Sequence, residues 1–114
     1  MTDIILCSSD FLGEYGDALD YDIRWTEWEV TATGESTDEH LLALMRKRER
    51  VNGAYDFIGD IFHKGLNMED IQEVKTELAI RNVKLKESDD DDDICLYHRN
   101  VGVLKYIKWL EKIV

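Results

Sequence analysis

The middle of the chain carries apolar side chains at a period of three to four residues. They occur at Leu41, Leu44, Met45, Val51, Tyr55, Ile58 and Phe62, and Arg48 continues the spacing between Met45 and Val51. This spacing places them on one face of an amphipathic helix, which we predict over residues 37–64. Asn52-Gly53 could divide this helix in two, since Gly costs about 1 kcal/mol relative to Ala in a helix interior.

The ends of this helix carry their own signals. Ser36 and Glu39 have the spacing of a capping box, in which each residue bonds the backbone amide of the other. Gly65 follows His63-Lys64 and is typical of the residue that ends a helix in a left-handed conformation. The sequence therefore predicts a helix with defined boundaries.

Two further helices are predicted, over residues 68–81 and 101–113. Asn67 and Asp70 resemble an N-cap pair before the first of them, and its apolar face consists of Ile71, Val74 and Leu78. Asn100 is predicted to cap the second, whose apolar face consists of Val103, Ile107, Leu110 and Val114.

Shorter segments alternate apolar and polar residues with a period of two, which predicts strands. Two such runs, at 83–87 and 94–98, flank an acidic loop and predict a β-hairpin. An apolar run predicts a strand at 3–7. A second alternating segment predicts one at 22–32, bulged where the pattern shifts by one residue between Thr26 and Glu27. Residues 11–20 are expected to form a loop or a broken helical turn, and no internal repeat is expected.

These elements predict one α+β domain over residues 1–114, with a helix-turn-helix-like core and a C-terminal-half hairpin at 83–98. Their order is that of a winged helix-turn-helix. The charges argue against DNA binding, because the second helix is rich in Glu and the wing tip would be the aspartate run Asp89–Asp93. Each phosphate contact needs a cation, so direct nucleic-acid binding is not expected.

The charge distribution is the most informative feature of the composition. The chain has 114 residues, 44% of them hydrophobic, and a net charge of −11. Its first forty residues contain one cation, Arg24, and eleven carboxylates: Asp3, Asp10, Glu14, Asp17, Asp20, Asp22, Glu27, Glu29, Glu35, Asp38 and Glu39. Trp25 and Trp28 lie among them. Such a segment bears on partners and association rate rather than on fold.

The one dense basic run is Arg46-Lys47-Arg48-Glu49-Arg50. In a helix its side chains spread around the axis and cannot form a single stripe. We expect them to pair with the acidic N-terminal segment, either inside one chain or across a homodimer.

Catalytic and metal-binding patterns are weak. Cys95 and His98 have a zinc-type spacing but no second ligand pair accompanies them. The aspartate run lacks the Gly and Glu that a calcium loop requires. No pair of nucleophile and base has supporting context. The sequence therefore predicts a non-enzyme without a metal or cofactor. Two isolated cysteines and no signal or membrane-spanning segment lead us to expect a cytoplasmic protein with no membrane partner.

These observations favour a small acidic binding or inhibitor protein that occupies the basic, nucleic-acid-binding groove of a larger protein. Phage or mobile-element anti-defence proteins, such as anti-CRISPR, anti-restriction and DNA-mimic proteins, have this composition, as do immunity proteins; no motif of those families is present. The alternative is an oligomerising structural or regulatory subunit. The expected partner-binding residues are Asp17, Asp20, Asp22, Trp25, Glu27, Trp28, Glu29, Asp90 and Asp91.

Overall fold

Helices make up all the secondary structure that the computed structural model describes, which covers residues 9–18, 20, 23–24 and 38–113. Helix α1 includes residues 9–18, and residues 20, 23 and 24 are also helical. Three helices follow: α2 (Asp38–Lys64), α3 (Met68–Leu85) and α4 (Asp91–Ile113). Helix α4 packs against both α2 and α3 and joins them into one bundle.

The predicted α+β class is wrong. Residues 83–85 form the last turn of α3, and residues 94–98 lie inside α4, so the β-hairpin and the winged-helix arrangement are absent from the described chain. The period-two pattern predicted strands wrongly because some of its apolar side chains are exposed and not buried on one face of a sheet: Val83 is 67% and Leu96 45% accessible.

The other predicted strands lie in the first third of the chain. The strand at 3–7 lies outside the described residues, and within 22–32 only residues 23 and 24 are described, both helical. Residues 11–20 were expected to form a loop or a broken helical turn; residues 11–18 form continuous helix and residue 20 is also helical.

The aspartate run that resembled a wing tip is the start of a helix. Asp90 Oδ1 accepts hydrogen bonds from the backbone amides of Asp92 and Asp93 at 2.9 and 3.3 Å, as an N-cap residue does. Ser88 Oγ donates to Asp93 Oδ2 at 2.7 Å. The carboxylates of the first turn also face the positive end of the helix dipole, which stabilises them there. Asp90 therefore caps α4, Asp91–Asp93 form its first turn, and α3 and α4 form a helical hairpin.

The bounds of α2 and the start of α3 follow the prediction closely, but Met45, Tyr55 and Phe62 of the predicted apolar face are exposed. Helix α2 runs unbroken through Asn52-Gly53 and ends at Lys64, and the Gly65 that follows has a left-handed φ of 63°. Asn67 and Asp70 form the reciprocal capping box at the start of α3, with bonds of 2.9 and 3.0 Å. The proposed capping box at Ser36 falls outside the described residues.

Helices α3 and α4 are longer than predicted. Helix α3 continues to residue 85 and α4 begins ten residues before 101. Asn100 is therefore not a cap: it lies inside α4, is 6% exposed, and donates to Asn82 Oδ1 of α3 at 3.0 Å. Asn82 in turn donates to the Tyr97 carbonyl at 3.4 Å. This buried amide pair fixes the register of α3 against α4, because any slip would leave both amides without partners.

Two glycines allow α2 and α4 to cross with their backbones in contact. A Cβ on Gly53 would lie 2.8 Å from the Cα of Arg99, and one on Gly102 would lie 2.8 Å from the Cα of Arg50. Both helices thus contain Arg-x-x-Gly, and each Gly meets the backbone of the other helix's Arg. Absence of a side chain at these positions permits the close approach.

The similarity between α2 and α4 extends to the core residues on the C-terminal side of each glycine. After Gly53 and Gly102 the buried positions match in both helices: Ala54 with Val103, Phe57 with Tyr106, Ile58 with Ile107, and Ile61 with Leu110. Ile71 of α3 completes the buried cluster. The expectation of no internal repeat overlooked this pattern, which is confined to the buried positions.

Candidate functional site

Helix α1 and the residues after it are held to α2 by the basic run. The Arg48 guanidinium donates to both carboxylate oxygens of Asp20, at 2.8 and 3.1 Å. These bonds hold the pKa of the Asp20 carboxyl below its usual value. A Cβ at the buried Gly16 would lie 3.0 Å from Arg48 Cζ, so glycine leaves room for the guanidinium. For Arg48, the predicted pairing of the basic run with the acidic segment is confirmed, and it occurs within one chain.

Aromatic contacts add to this attachment. Lys47 Nζ lies 5.3 Å from the centre of the Tyr15 ring, a cation–π arrangement. Within α1, Tyr15 also stacks on Phe11, with ring centres 6.0 Å apart, and this contact does not itself join α1 to the bundle. Leu12, which lies between Phe11 and Tyr15 in the sequence, packs against the core. The face of α1 that carries Leu12 and Tyr15 therefore packs against the bundle.

The opposite face of α1 points to solvent and is acidic. Asp10, Glu14 and Asp17 follow one another at spacings of four and three, and all three are exposed. Phe11 beside them is 65% exposed. Among the described residues, none of the three carboxylates has a cation within ion-pair distance. We call Asp10, Phe11, Glu14 and Asp17 the α1 outer face.

A shallow cavity of about 320 Å³, largely open to solvent, lies between the side of α1 that carries Leu12 and Tyr15 and helices α2 and α4. Three cations line it: Lys47 and Arg50 from α2, and Lys105 from α4. The rest of the lining is mainly apolar or aromatic, and includes Leu12, Tyr15, Val51, Ala54 and Tyr106. We call this space the α1–α2–α4 cavity.

Arg50 of α2 contacts a histidine of α4. His98 Nδ1 lies 3.2 Å from Arg50 Nη1, and neutral His98 accepts this bond through Nδ1. Burial first, and the charge of Arg50 second, lower the pKa of His98, so the neutral ring is favoured. Arg99 beside it pairs with Glu49 at 3.5 Å and with Asp56.

The predicted partner-binding residues fall into three groups. Asp17 belongs to the α1 outer face, whereas Asp20 is occupied by Arg48. Asp90 and Asp91 are exposed at the start of α4, where Asp90 serves as the cap. The remaining five lie outside the described residues: Asp22, Trp25, Glu27, Trp28 and Glu29.

No hydrogen bond joins Cys95 to His98 in the described chain, and the Nδ1 of His98 contacts Arg50. Desolvation raises the pKa of the exposed Cys95 thiol, and the nearby carboxylates of Glu49, Asp92 and Asp91 raise it further. A thiolate is therefore disfavoured. Within the described ranges, no group of three or more His, Cys, Asp or Glu residues is arranged to hold a metal ion.

Sequence reasoning missed the cavity. Lys47 and Lys105 are 58 positions apart, and no local pattern shows that they converge. The one available signal was the repeated Arg-x-x-Gly, which marks where α2 and α4 meet. Of the helices that are described, none is long and apolar enough to cross a membrane. Comparison of the chain with protein-family models, curated proteins and solved structures gave no match.

Proposed function

We propose that the protein is a non-enzymatic binding protein that docks on a basic, nucleic-acid-binding surface of a larger protein through the α1 outer face. The observation that supports this is the division of α1 into two faces. One is fixed to the bundle by Tyr15 and the nearby Asp20–Arg48 pair, and the other presents three carboxylates and an exposed phenylalanine.

The carboxylates of the α1 outer face repel one another. Like charges at i, i+4, such as Asp10 and Glu14, destabilise a helix by a few tenths of a kcal/mol. A cationic partner would remove that penalty and gain contacts with Phe11, and exposed aromatic side chains are common anchors at interfaces. The three carboxylates are spaced by about 5 Å along the helix axis, of the same order as the 3.4 Å per phosphate of one DNA strand.

The proposed partner class is therefore an enzyme or complex that itself binds nucleic acid. Within that class, an anti-defence inhibitor of the anti-CRISPR or DNA-mimic type and an immunity protein share the same requirement for carboxylates in place of phosphates. Both would act by competition with nucleic acid for one groove.

The test begins with a partner captured from host lysate at low salt and released at high salt. Glu14→Lys combined with Asp17→Lys should weaken binding to that partner by about tenfold or more, chiefly through a slower on-rate. Glu69→Lys combined with Glu73→Lys is the matched control, because it changes the net charge equally at exposed positions of α3. Asp20 is unsuitable for this test, since reversal there would break its pair with Arg48.

Equal weakening by both double variants would show that net charge alone matters and would contradict docking through the α1 outer face. A further check is competition: the wild-type protein should displace a DNA or RNA oligonucleotide from the captured partner. Simultaneous binding of the protein and the oligonucleotide would rule out occupation of the nucleic-acid groove.

A second candidate function is an assembly subunit, favoured by one exposed apolar patch. Ile80 and Val83 of α3 are three residues apart and 64% and 67% exposed. If copies associate through this patch, Ile80→Lys should convert an oligomer to a monomer in light scattering coupled to gel filtration. A wild-type protein that is monomeric at high concentration would remove this candidate.

A further inference from the structure

The α1–α2–α4 cavity concentrates positive charge in a protein whose net charge is −11. Lys47, Arg50 and Lys105 line one space of about 320 Å³. That volume is at the lower end of the range for sites that hold small molecules. The three cations come from two helices, so the crossing of α2 and α4 brings them together.

Position rather than pairing distinguishes these three cations from others in the described chain, because they line one cavity. Arg48, Lys75 and Arg99 each contact a carboxylate on another element or segment. Within the described ranges, the three cavity cations have no carboxylate at ion-pair distance, and the same is true of exposed cations such as Lys84 and Lys108, which do not line the cavity. An anion from outside the described chain would complete their pairing.

Two of the cations are held by neutral groups that leave their charge available. Lys47 lies over the Tyr15 ring, and Arg50 contacts the Nδ1 of His98. Neither contact neutralises the cation, and both restrict its side chain in advance of binding. Pre-ordering of this kind lowers the entropy lost when a ligand binds.

We propose that the α1–α2–α4 cavity binds a small phosphate monoester that carries an apolar ring. The phosphate lies among Lys47, Arg50 and Lys105, where Arg offers planar paired donors and Lys a compact charge. The ring lies against the apolar and aromatic lining formed by residues such as Leu12, Tyr15 and Val51. This ligand site is separate from the α1 outer face and does not depend on the proposed function.

The chemistry of the lining explains why both parts of the ligand are needed. A simple phosphate ion would meet the cations but leave the apolar lining hydrated, and it would approach against the negative field of the whole chain. A neutral ring would bury apolar surface but leave three cations unpaired. A ligand with both groups gains from each contact.

The experiment uses the full-length protein and three probes: phenyl phosphate, inorganic phosphate and phenol. Two-dimensional ¹H–¹⁵N NMR titrations should show saturable shifts with phenyl phosphate at the amides of Tyr15, Val51 and Gly102. Its dissociation constant should be lower than those of inorganic phosphate and phenol by about tenfold.

Substitutions then test the assignment of the cations. Lys47→Gln and Lys105→Gln should each weaken phenyl phosphate binding by roughly fivefold or more. Lys108→Gln is the matched control, because Lys108 is an exposed lysine of α4 one turn beyond Lys105 and does not line the cavity. It should leave the dissociation constant unchanged. Circular dichroism spectra identical to wild type would show that the exposed lysine variants keep the fold.

Three outcomes would overturn the proposal. The first is no saturable shift at phenyl phosphate concentrations of about 10 mM, where a millimolar site would be nearly saturated. The second is equal weakening by Lys108→Gln and Lys105→Gln, which would indicate nonspecific charge attraction. The third is an inorganic phosphate affinity equal to that of phenyl phosphate, which would exclude a role for the ring.

Discussion

The crossing of α2 and α4 gives the sharpest test of this structure, through the substitution Gly53→Ala. In a helix interior this change by itself stabilises by about 1 kcal/mol, because Ala has the higher helix propensity. At Gly53 the new Cβ would lie 2.8 Å from the Cα of Arg99, well inside ordinary van der Waals contact. The obstacle is backbone, which cannot rotate away as a flexible side chain can.

The change in the free energy of unfolding is the sum of two opposed effects, the gain in helix propensity and the cost of the backbone clash. The atom nearest to the new Cβ is the Arg99 carbonyl oxygen, so the helices must separate by about 1 Å at the crossing, which loosens the buried pairs beyond it. Overpacking of this kind costs about 1–3 kcal/mol and occasionally more, and an immovable backbone places this site at the upper end. After the gain in propensity, Gly53→Ala should destabilise the protein by about 2 kcal/mol, or roughly 8 °C in Tm.

Gly59→Ala is the control, because Gly59 lies six residues later in the same helix and the nearest heavy atom to its new Cβ is the His63 side chain at 4.0 Å. That variant should be stabilised by about 0.5–1 kcal/mol in urea unfolding followed by circular dichroism. Gly102→Ala should resemble Gly53→Ala. The double variant at 53 and 102 should cost less than the two single losses added together, since one separation of the helices relieves both clashes.

The refuting result is a Gly53→Ala protein that is as stable as the Gly59→Ala protein. It would mean that α2 and α4 do not meet through their backbones at this point. Additive losses in the double variant would contradict the shared crossing, because they would assign the two glycines to independent contacts.

Two further predictions concern buried polar groups. The pKa of His98 is lowered in the folded state, so the unfolded chain binds the proton more readily. The stability that neutral His98 contributes should therefore be lost as the pH falls through 6.5 toward the folded pKa. Urea unfolding at pH 7.5 and 5.5 should show a smaller pH-dependent loss of stability for His98→Gln than for wild type, and equal losses would refute the assignment. Asn82→Ala leaves the buried amide of Asn100 without its acceptor and should cost about 1–3 kcal/mol. The double variant Asn82→Leu with Asn100→Leu should recover most of that loss in thermal unfolding, and a double variant as unstable as Asn82→Ala would contradict the pairing.

Local signals in the sequence were enough to predict α2 and the beginning of α3. The helical spacing of apolar residues, the Asn67 cap and Gly65 all act within a few residues of one another, and each has a defined backbone consequence. The start of α4 could not be predicted in the same way. A run of aspartates serves equally well in a polar loop and at the N-terminus of a helix, and the choice depends on the hydrogen bonds that Asp90 makes.

The candidate site depended even more on tertiary structure. The sequence showed that the basic run should meet the acidic segment, and Arg48 does contact Asp20. It did not show that Lys47 and Arg50 would instead face a cavity shared with Lys105, because that arrangement depends on the crossing of α2 and α4. Charge counts along a sequence identify which segments attract one another but not which individual side chains remain available.

The central position of α4 has a consequence for the order of folding events. Because α4 packs against both α2 and α3, no core can close until residues beyond 91 have joined the helices before them. Contact between Gly53 and Arg99 encloses a segment of more than forty residues, and the entropy of closing that loop must be met before the buried pairs form. Folding should therefore be slower than local helix formation and cooperative across the bundle, and a chain cut before α4 should populate only unstable helices.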